Sequence, residues 1–507
     1  MQKSIVEWLE ITAKNHADKI AIQDSNESIT YEMYRKQSIA IARAVIEVIN
    51  MRGLDRKTPV VVYLEKSKNV LISFMGIAYS GCFYSPIDID VPKTRIKKIF
   101  DVLSPKIVIT KGEYRNEFSE IDFCGDFIFL EDIEVRADDE AAVLPITDKI
   151  IDTDLLYVLF TSGSTGTPKG VSICHRSVID YIDWVAEKFE IEVDDSFGNQ
   201  APFFFDNSIL DIYTCIKTGA TLYIIPQYLF CQPVKLLEYL AEHNIRNIFW
   251  VPSALSTVSK LKALKNVDLS KTLRRVMFCG EVMPNKQLNI WRSYLPKTLF
   301  VNLYGPTEIT DACTYYIVNR SFSDDESLPI GYPIRNTEIL VLNEHNESVV
   351  DNESGELCVR GSSLALGYYN NPEKTGEVFV QNPLNKNVPE IIYKTGDLVR
   401  YNDKGELEYI CRKDFQIKHL GHRIELGEIE TVVSAWEEVT MCCCLYDDKR
   451  QCIVLLCDFE FSKEVIRKRI KEILPEYMCP GKVIYVETLP LNANGKIDRV
   501  KLKELYL

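Results

Sequence analysis

The sequence predicts an α/β protein with a large N-terminal domain of parallel-sheet subdomains plus a β-rich subdomain, followed by a small α+β C-terminal domain. Three observations predict this class. Helical and strand-like segments alternate from about residue 28, short strands bounded by Gly, Asn and Asp follow residue 330, and a shorter α/β pattern follows residue 414. Alternating strands and helices form parallel sheets with helices on their faces. At 507 residues the chain exceeds what one hydrophobic core covers, so we expect more than one domain.

Each predicted element rests on the spacing of its apolar residues, which differs between helices and strands. In the N-terminal part the predicted helices are 1–10, 31–49, 70–79, 92–103 and 236–243. The predicted strands there are 59–64, 106–110, 155–160, 220–226, 245–251, 274–278 and 298–302. The β-rich part contains strands 339–342, 355–359 and 405–410. After a charged candidate linker at 412–418, the last unit contains helices 426–436 and 463–474 and strands 439–446, 452–459 and 482–487.

The composition excludes several classes of protein. A net charge of −14 disfavours a general nucleic-acid binder, and no apolar run approaches the roughly 18 residues of a membrane span. Glu7 and Glu10 interrupt the apolar residues of the first helix, which is unlike a signal peptide. The fifteen cysteines include no C-x-x-C pair. The adjacent Cys442, Cys443 and Cys444 are therefore interpreted as buried free thiols, with a metal site as the less favoured alternative, and a cytoplasmic location is expected.

The decamer Thr-Ser-Gly-Ser-Thr-Gly-Thr-Pro-Lys-Gly at 161–170 predicts a phosphate-binding loop. It follows a predicted strand, and its glycines let the backbone bend and approach a ligand closely. Hydroxyls, backbone N–H groups and the Lys169 ammonium are the groups that a polyphosphate needs. The alternative is an ordinary solvated turn. A Walker-type loop is disfavoured because Pro168 precedes the lysine and Gly170 follows it.

The segment Asn-Leu-Tyr-Gly-Pro-Thr-Glu at 302–308 is the second informative motif. It follows a predicted strand and supplies three different chemical groups. The Tyr304 ring can stack on adenine, the Thr307 hydroxyl can bond a phosphate, and the Glu308 carboxylate can bind Mg²⁺. An ordinary turn is the alternative for this segment alone.

Three later motifs supply one group each. Asp397 stands beside a glycine in a tight turn and can hold the hydroxyls of a ribose. Arg412 can reach a ribose or a phosphate. Lys496, in the segment Asn-Gly-Lys-Ile-Asp-Arg at 494–499, is a cation in a turn that can reach a developing negative charge.

Together and in this order, the motifs resemble those of the amino-acid adenylation domains of the adenylate-forming ligases, over essentially the whole chain. Further segments carry the resemblance: Gly-Cys-Phe-Tyr-Ser-Pro-Ile-Asp at 81–88, Ala-Pro-Phe-Phe-Phe-Asp at 201–206, Gly-Glu-Leu-Cys-Val-Arg-Gly at 355–361 and Gly-His-Arg-Ile-Glu-Leu-Gly-Glu-Ile-Glu at 421–430. Within the family, the likeness is strongest to the ligases that load D-alanine onto a carrier protein, in the segments 201–213 and 277–284.

The resemblance implies a two-step reaction that uses ATP and Mg²⁺. A substrate carboxylate attacks the α-phosphate of ATP, and a phosphopantetheine thiol then attacks the resulting adenylate. The residues that the resemblance assigns to ATP are Thr161, Ser162, Gly163, Ser164, Thr165, Gly166, Lys169, Asn302, Leu303, Tyr304, Gly305, Pro306, Thr307, Asp397, Arg412 and Lys496. Glu308 holds the metal, and Lys496 bridges the substrate carboxylate and the α-phosphate. Thr165, Glu308 and Lys496 are accordingly the predicted catalytic residues.

The resemblance also predicts the substrate pocket. Asp206 matches the residue that pairs with the α-ammonium of an amino acid, and a buried carboxylate needs such a cation. Cys279 matches a position that favours D-alanine. Two residues depart from the D-alanine ligases: Leu303 is bulkier, and Asp311 replaces an apolar residue, although Asp311 is also compatible with a solvent-facing turn. D-alanine is the predicted substrate, and a small polar or cationic amino acid such as serine, diaminopropionate or ornithine is the alternative.

The resemblance divides the chain into a core domain, 1–412, and a mobile domain, 413–507, with a hinge near Asp414. In the second step the 418–425 loop faces the pantetheine tunnel. No carrier motif follows Lys496, so the expected acceptor is a separate, acidic, phosphopantetheinylated carrier protein. A monomer without nucleic-acid or membrane partners is expected. A CoA ligase of the same superfamily and a silent scaffold are the alternative functions, and cell-wall esterification and nonribosomal peptide synthesis both stay open as pathways.

Replacing Lys496 by alanine should lower adenylate formation about 10²–10³-fold, the usual effect of removing one preorganised charge stabiliser. Amino-acid-dependent ATP–pyrophosphate exchange measures this step. Lys501→Ala, which removes a nearby lysine outside the motif, is the matched control. A loss below tenfold would contradict the assigned role.

Asp414→Pro should impair thioester formation more than adenylation, because proline fixes φ at the predicted pivot. The two steps are separated by measuring pyrophosphate exchange and carrier acylation on the same preparation. Equal losses in both steps would show that Asp414 is not the hinge.

Overall fold

The computed structural model describes residues 2–25, 27–121, 123–163, 167–324, 326–350, 352–413, 416–490 and 497–507. Five residues with predicted roles lie outside these ranges: Ser164, Thr165, Gly166, Asp414 and Lys496. Their roles stay predictions.

Within these ranges the α-helices are α1 (Val6–Asn15), α2 (Tyr31–Arg52), α3 (Lys68–Tyr79), α4 (Lys93–Leu103), α5 (Asp139–Thr147), α6 (His175–Lys188), α7 (Ser208–Thr218), α8 (Pro233–Glu242), α9 (Pro252–Lys260), α10 (Asn285–Tyr294), α11 (Pro372–Val378), α12 (Leu426–Ser434), α13 (Lys463–Lys471) and α14 (Arg499–Tyr506). Short 3₁₀ helices cover Gly112–Phe118, Leu130–Asp132, Gln227–Cys231, Ala263–Lys265, Thr307–Ile309 and Glu476–Met478.

The strands of the N-terminal part are β1 (Ile20–Gln23), β2 (Ser28–Thr30), β3 (Pro59–Tyr63), β4 (Phe83–Ile87), β5 (Ile107–Thr110), β6 (Asp126–Phe129), β7 (Leu155–Thr161), β8 (Lys169–Cys174), β9 (Ser196–Asn199), β10 (Thr221–Ile224), β11 (Asn247–Trp250), β12 (Arg275–Phe278), β13 (Leu299–Tyr304), β14 (Thr314–Ile317) and β15 (Tyr332–Pro333). The later strands are β16 (Thr337–Leu342), β17 (Gly355–Gly361), β18 (Phe379–Gln381), β19 (Ile391–Tyr401), β20 (Leu407–Arg412), β21 (Gln416–His419), β22 (His422–Glu425), β23 (Cys442–Asp447), β24 (Cys452–Cys457) and β25 (Lys482–Tyr485).

Two large, mostly parallel sheets form the N-terminal part. In the described residues one sheet has the order β15-β14-β13-β12-β11-β9-β10-β1-β2, and the other has the order β6-β5-β3-β4-β7-β8. In the first sheet β13, β12, β11, β9, β10 and β1 run parallel, with antiparallel strands at both edges. Parallel neighbouring strands need long crossover connections, and the helices that cover these sheets belong to those connections. The main apolar core contains residues of both sheets and of the helices that cover them.

The remaining sheets are smaller. Strands β16, β17, β19, β18 and β20 form an antiparallel sheet with its own core. After it come the β21–β22 hairpin and a three-stranded sheet, β23-β24-β25, packed with α12, α13 and α14. The predicted fold class is confirmed: mixed α/β with parallel sheets, a β-rich subdomain and a small α+β unit.

Local sequence explains the helix ends. The Thr30 hydroxyl accepts a hydrogen bond from the backbone N–H of Met33 at the start of α2, and Gly53 ends the helix with φ 62°. That left-handed conformation suits glycine, so Gly53 is a C-terminal cap. On α4 the buried residues Arg95, Ile96, Ile99, Phe100 and Leu103 recur with helical spacing.

The predicted segments fall mostly within two or three residues of the observed elements, with some corrections. Helix α1 extends well past the predicted 1–10, to Asn15. Arg412 ends β20 instead of opening a linker, and the predicted 418–425 loop is mostly the β21–β22 hairpin. Helices α5, α6, α7, α9, α10, α11 and α14 lie outside the predicted segments. Among the described residues, no helix is long and apolar enough to span a bilayer.

Candidate active site

The site lies at the carboxyl edge of the nine-stranded sheet. Strands β9, β11, β12 and β13 are parallel, so the loops that follow them leave the sheet at the same edge. These loops carry Asp206, Val251, Cys279 and Glu308. In open α/β sheets, this edge is where ligands bind.

The predicted phosphate loop connects the antiparallel strands β7 and β8, which pair Thr161 with Lys169. A Cβ added to Gly163 would stand 2.0 Å from the carbonyl oxygen of Thr167, so this tight turn requires glycine. The Ser162 hydroxyl donates a 2.7 Å hydrogen bond to the carbonyl oxygen of Arg423. The described part of the loop therefore contacts the β21–β22 hairpin.

Lys169 stands at the start of β8, next to this loop. Its Nζ atom lies 3.8 Å from Glu425 Oε1 and 5.4 Å from the centroid of the Tyr368 ring. Burial lowers the pKa of Lys169, and the nearby Arg423 guanidinium lowers it further. The amine is thus a half-buried cation among both acidic and basic groups, which suits the binding of an anionic phosphate.

Both oxygens of the Glu308 carboxylate have partners. It is fully buried in the 3₁₀ helix that follows β13. Its Oε1 accepts a 2.7 Å hydrogen bond from the Tyr368 hydroxyl, and its Oε2 pairs with Arg423 Nη1 at 2.6 Å. Burial opposes ionisation, but the charges of Arg423 and Lys169 lower the pKa of Glu308 to about 2. Glu308 is therefore an anion at neutral pH.

The ionised, buried carboxylate of Glu308 has the properties of a magnesium ligand. Mg²⁺ prefers carboxylate oxygens, and it commonly binds one or two carboxylates together with substrate phosphates. Glu308 is ionised, and the phosphate-binding candidates Lys169 and Ser162 both contact the β22 segment that pairs with it. Arg423 already donates to Oε2, so a metal bound there would either share this oxygen with the guanidinium or displace it.

Tyr304, Asp397 and Arg412 form the predicted nucleoside site. The Tyr304 hydroxyl donates to Asp397 Oδ2, and Arg412 Nη1 donates to Asp397 Oδ1 at 2.9 Å and to the carbonyl of Thr395 at 3.0 Å. Burial and the Asp397 charge hold the pKa of Tyr304 far above its ordinary value. Lys418 Nζ lies 5.8 Å from the centroid of the Tyr304 ring. The structure thus brings the three predicted residues together.

The other residues of the 302–307 motif mainly shape the turn. Asn302 donates from Nδ2 to the carbonyl oxygen of Pro329 at 2.9 Å, and Leu303 is buried in the main core. A Cβ on Gly305 would lie 2.5 Å from the carbonyl oxygen of Asp311, so only glycine fits there. The Thr307 side chain bonds Asp206. Pro306 precedes the 3₁₀ helix.

The predicted substrate pocket contains two buried carboxylates. Burial raises the pKa of Asp206, and the Thr307 hydrogen bond opposes this rise. Asp311 is 1% exposed, and its Oδ2 accepts a 2.7 Å hydrogen bond from the Tyr181 hydroxyl. Burial and the charge of Asp206 raise the pKa of Asp311 well above its ordinary value. Cys279 is buried, and its thiol pKa is likewise raised by burial and by Asp311.

The β21–β22 hairpin closes one side of the site. Gly421, at its turn with φ 82°, donates from its backbone N–H to Glu281 Oε1 at 2.8 Å. A Cβ there would lie 2.8 Å from Val251 Cγ1, so the hairpin approaches the core closely. The His422 ring stacks on Tyr477 at 3.5 Å and meets Phe205 edge-on at 4.7 Å.

Three functional candidates were missed by the sequence reasoning. Arg423 lies within a motif that was recognised without a role for its arginine. Tyr368 and Tyr181 lie in segments without a motif, and only the structure shows that they bond Glu308 and Asp311.

The adjacent cysteines Cys442, Cys443 and Cys444 are buried in β23 as free thiols. The residues that the structure describes include no group of three or more His, Cys, Asp or Glu placed to hold a metal ion.

Comparison with known proteins gives the class of this chain. The model of the AMP-binding enzyme family matches residues 9–369, and the model of the AMP-binding enzyme C-terminal domain matches residues 428–496. The chain belongs to the AMP-binding enzyme family. The family prediction is thereby confirmed, and with it the prediction of an AMP-forming ligase.

Two curated relatives show the degree of similarity. The chain is 32% identical to tyrocidine synthase 1 of Brevibacillus parabrevis over 99% of its own length, but it spans only 45% of that relative. It is 31% identical to the D-alanine--D-alanyl carrier protein ligase of Bacillus licheniformis, over 99% of both chains. Among solved structures, the Vibrio cholerae adenylation domain AlmE, in complex with glycyl-adenosine-5'-phosphate, superposes with a TM-score of 0.84. Its identity is 21%, over 100% of this chain and 98% of that one, which supports the fold.

Arg423→Gln should loosen the β21–β22 hairpin. The substitution leaves Glu308 as a buried charge without its arginine, and breaking a buried ion pair costs about 3–5 kcal/mol. Hydrogen–deuterium exchange of peptides covering 416–425 should then accelerate at least about tenfold, because local opening sets the protection of such segments.

Arg450→Gln is the matched control for this experiment. Its side chain is 65% exposed and lies 3.7 Å from Asp447, in a pair of the kind that contributes little. Unchanged protection of the hairpin in Arg423→Gln would show that the ion pair with Glu308 does not hold it.

Proposed function

We propose that this protein activates an amino acid with ATP as an aminoacyl adenylate and then transfers the aminoacyl group to the phosphopantetheine thiol of a separate carrier protein. The observation that carries the proposal is the buried carboxylate of Asp206 at the carboxyl edge of the sheet. Among the described residues no Lys, Arg or His forms an ion pair with it within 4.0 Å, and Lys418 acts on it only from a longer distance, so an ammonium on the substrate would be its nearest cation. An α-ammonium supplies that cation, whereas a fatty or aryl acid does not.

The relatives support both steps. The relative named D-alanine--D-alanyl carrier protein ligase matches this chain end to end, and its name includes an amino acid and a carrier protein. Because tyrocidine synthase 1 is more than twice as long as the matched part, its activity as a whole is not transferred. An acidic carrier, a monomeric state and a cytoplasmic location complete the proposal.

In the first step, the side chains of the site position charged groups and neutralise their charge. Lys169, Ser162 and Gly163 face the β- and γ-phosphates, Tyr304 supports the adenine, and Asp397 with Arg412 holds the ribose. Magnesium bound at Glu308 would offset phosphate charge. Lys496 then stabilises the charge that develops as the substrate carboxylate attacks the α-phosphate. Positioning and electrostatic stabilisation carry most of the rate in such transfers.

The two steps need different positions of the β21–β22 hairpin relative to Glu308. In the structure the hairpin is docked: Arg423 contacts Oε2 of Glu308, and Gly421 contacts Glu281 at the rim of the pocket. We propose that this docked hairpin belongs to the thiol-transfer state, in which the 413–507 domain has turned about Asp414 and 1–412 keeps the adenylate. The contacts of the hairpin support this assignment, since they bring the Arg423 guanidinium to Glu308 Oε2 and the Gly421 backbone to Glu281.

D-alanine is the first candidate substrate. The full-length relatives named for it and the buried Cys279 support it. The second candidate is a small amino acid with a polar or basic side chain, of the kind used in nonribosomal peptide synthesis. Asp311 favours this second candidate, because it is buried in the pocket instead of facing solvent as its alternative interpretation required.

Amino-acid-dependent ATP–pyrophosphate exchange tests the proposal directly. We expect exchange with at least one D- or L-amino acid and none above background with fatty or aryl acids. Asp206→Asn should lower kcat/KM at least about 10²-fold, since it removes a charge that pairs with the substrate in a buried site. Asp324→Asn, at an exposed position, is the control. Exchange that depends on a fatty acid would exclude amino-acid activation.

A further inference from the structure

Lys66 reaches from the six-stranded sheet to the segment that carries Asp206. It stands three residues after the end of β3, and its Nζ donates a 3.0 Å hydrogen bond to the carbonyl oxygen of Gln200. The same ammonium lies 5.3 Å from the centroid of the Phe203 ring. Gln200 and Phe203 belong to the 200–206 segment, which lies between β9 and α7 and ends at Asp206. A side chain of one sheet therefore contacts the binding segment of the other.

The local backbone bonds of the 200–206 segment fix its turn but not its place in the protein. The Phe205 N–H donates to the carbonyl oxygen of Pro202 at 3.1 Å, and the Ile209 N–H donates to the carbonyl oxygen of Asp206 at 2.8 Å. Bonds of this kind move together with the segment. The hydrogen bond from Lys66 instead ties the backbone to a different sheet, and a hydrogen bond from a charged donor is stronger than one between neutral groups.

Two carboxylates act on the Lys66 ammonium. Asp211, on α7, is 1% exposed, and its Oδ2 accepts a 2.8 Å hydrogen bond from Asn199 Nδ2. Its Oδ1 is buried and accepts no hydrogen bond from the described residues. The second carboxylate, Asp88, is the last residue of the 81–88 motif. Burial lowers the pKa of Lys66, and the negative charges of Asp211 and Asp88 oppose this change, so the two acids favour the charged form of the lysine.

These charges lie close to the candidate substrate pocket. Burial raises the pKa of Asp311 most, and the charges of Asp206 and Asp211 raise it further. Asp211 is thus within electrostatic reach of both Lys66 and the pocket. The lysine and its two acids therefore stand beside the site and do not form a remote structural pair.

We propose that Lys66 is a positioning residue whose ammonium holds the 200–206 segment so that the Asp206 carboxylate meets the α-ammonium of the substrate. Asp211 and Asp88 keep the Lys66 side chain charged inside the protein. This inference rests on the proposed amino-acid activation and adds a residue that acts through Asp206. Without the ammonium, the segment would lose its bond to the six-stranded sheet. A misplacement of about 1 Å in a binding group is enough to lower activity about 10²-fold.

The test measures ATP–pyrophosphate exchange of the full chain with the best substrate among the D- and L-amino acids. Lys66→Met keeps the length of the side chain and removes the ammonium. We expect the KM for the amino acid to rise at least about tenfold, because the lost hydrogen bond has a charged donor, while the KM for ATP changes less than about threefold. Lys66→Arg keeps a cation at this place, so its KM for the amino acid should lie at least about threefold below that of Lys66→Met.

A double variant shows whether Lys66 acts through Asp206. Asp206→Asn removes the carboxylate that pairs with the substrate, so the position of the 200–206 segment should matter less. Adding Lys66→Met to Asp206→Asn should therefore lower kcat/KM less than about threefold, against at least about tenfold in the unaltered background. A general loss of structure would lower kcat/KM in both backgrounds by the same factor.

Lys68→Met is the matched control. Lys68 stands two residues later, and its ion pairs are with Glu27 at 2.8 Å and Asp24 at 3.9 Å. Its loss leaves the bond from Lys66 to the 200–206 segment in place, so the KM for the amino acid should not change. A KM does not depend on the fraction of a preparation that is folded, so a variant that folds poorly can still be compared.

The outcomes separate this inference from the proposed function. An unchanged KM for the amino acid in Lys66→Met, or equal losses of kcat/KM in both backgrounds, would overturn the role of Lys66 while leaving amino-acid activation intact. Failure of every amino acid, together with exchange that depends on a fatty or aryl acid, would overturn the proposed function and this inference with it.

Discussion

The ion pair between Glu308 and Arg423 joins the edge of the nine-stranded sheet to the β21–β22 hairpin. Glu308 is fully buried after β13, and Arg423 belongs to a hairpin that lies 115 residues later in the chain. A buried anion without a cation is strongly destabilising, so Glu308 needs either Arg423 or another positive group. Arg423 and a metal ion at Oε2 would therefore compete for the same oxygen. One buried carboxylate thus links the position of the hairpin to the cation beside it, a coupling that the proposed two-step reaction could use.

The parallel sheet supplies the other constraint. Its strands end at one edge, so loops that are distant in sequence meet there, and close approach of their backbones fixes the geometry. Gly305 and Gly421 both lie where a Cβ would overlap a neighbour, one against the Asp311 carbonyl and the other against Val251. The pocket is therefore built on backbone contacts that most residues would not permit.

Local pattern explains which elements could be predicted. The strand predicted at 59–64 was found as Pro59–Tyr63 because five consecutive apolar residues are buried on both faces of a parallel sheet. The β21–β22 hairpin was missed because its strands have four residues each and mix His, Lys and Arg with apolar residues. The phosphate loop, the nucleoside residues and Asp206 could be identified from motifs. The pairing of Glu308 with Tyr368 and Arg423 could not, since no local pattern encodes contacts between distant segments.

Buried carboxylates in this chain differ in whether a cationic side chain pairs with them. Asp139 pairs with Arg43 at 2.5 Å, and Glu428 pairs with Arg95 at 2.8 Å, so each of these structural acids has an arginine. Asp206 and Asp311 are also buried, but among the described residues neither forms an ion pair. Asp211 lacks one as well and accepts a hydrogen bond from Asn199, so the absence of a cation does not by itself mark a ligand site. Asp206 is set apart by its place at the edge of the sheet where ligands bind. An α-ammonium on the substrate would supply the cation that Asp206 lacks, and burial would strengthen the pairing because little water competes for the carboxylate. An amino acid is therefore favoured at this position over a carboxylic acid that carries no positive charge.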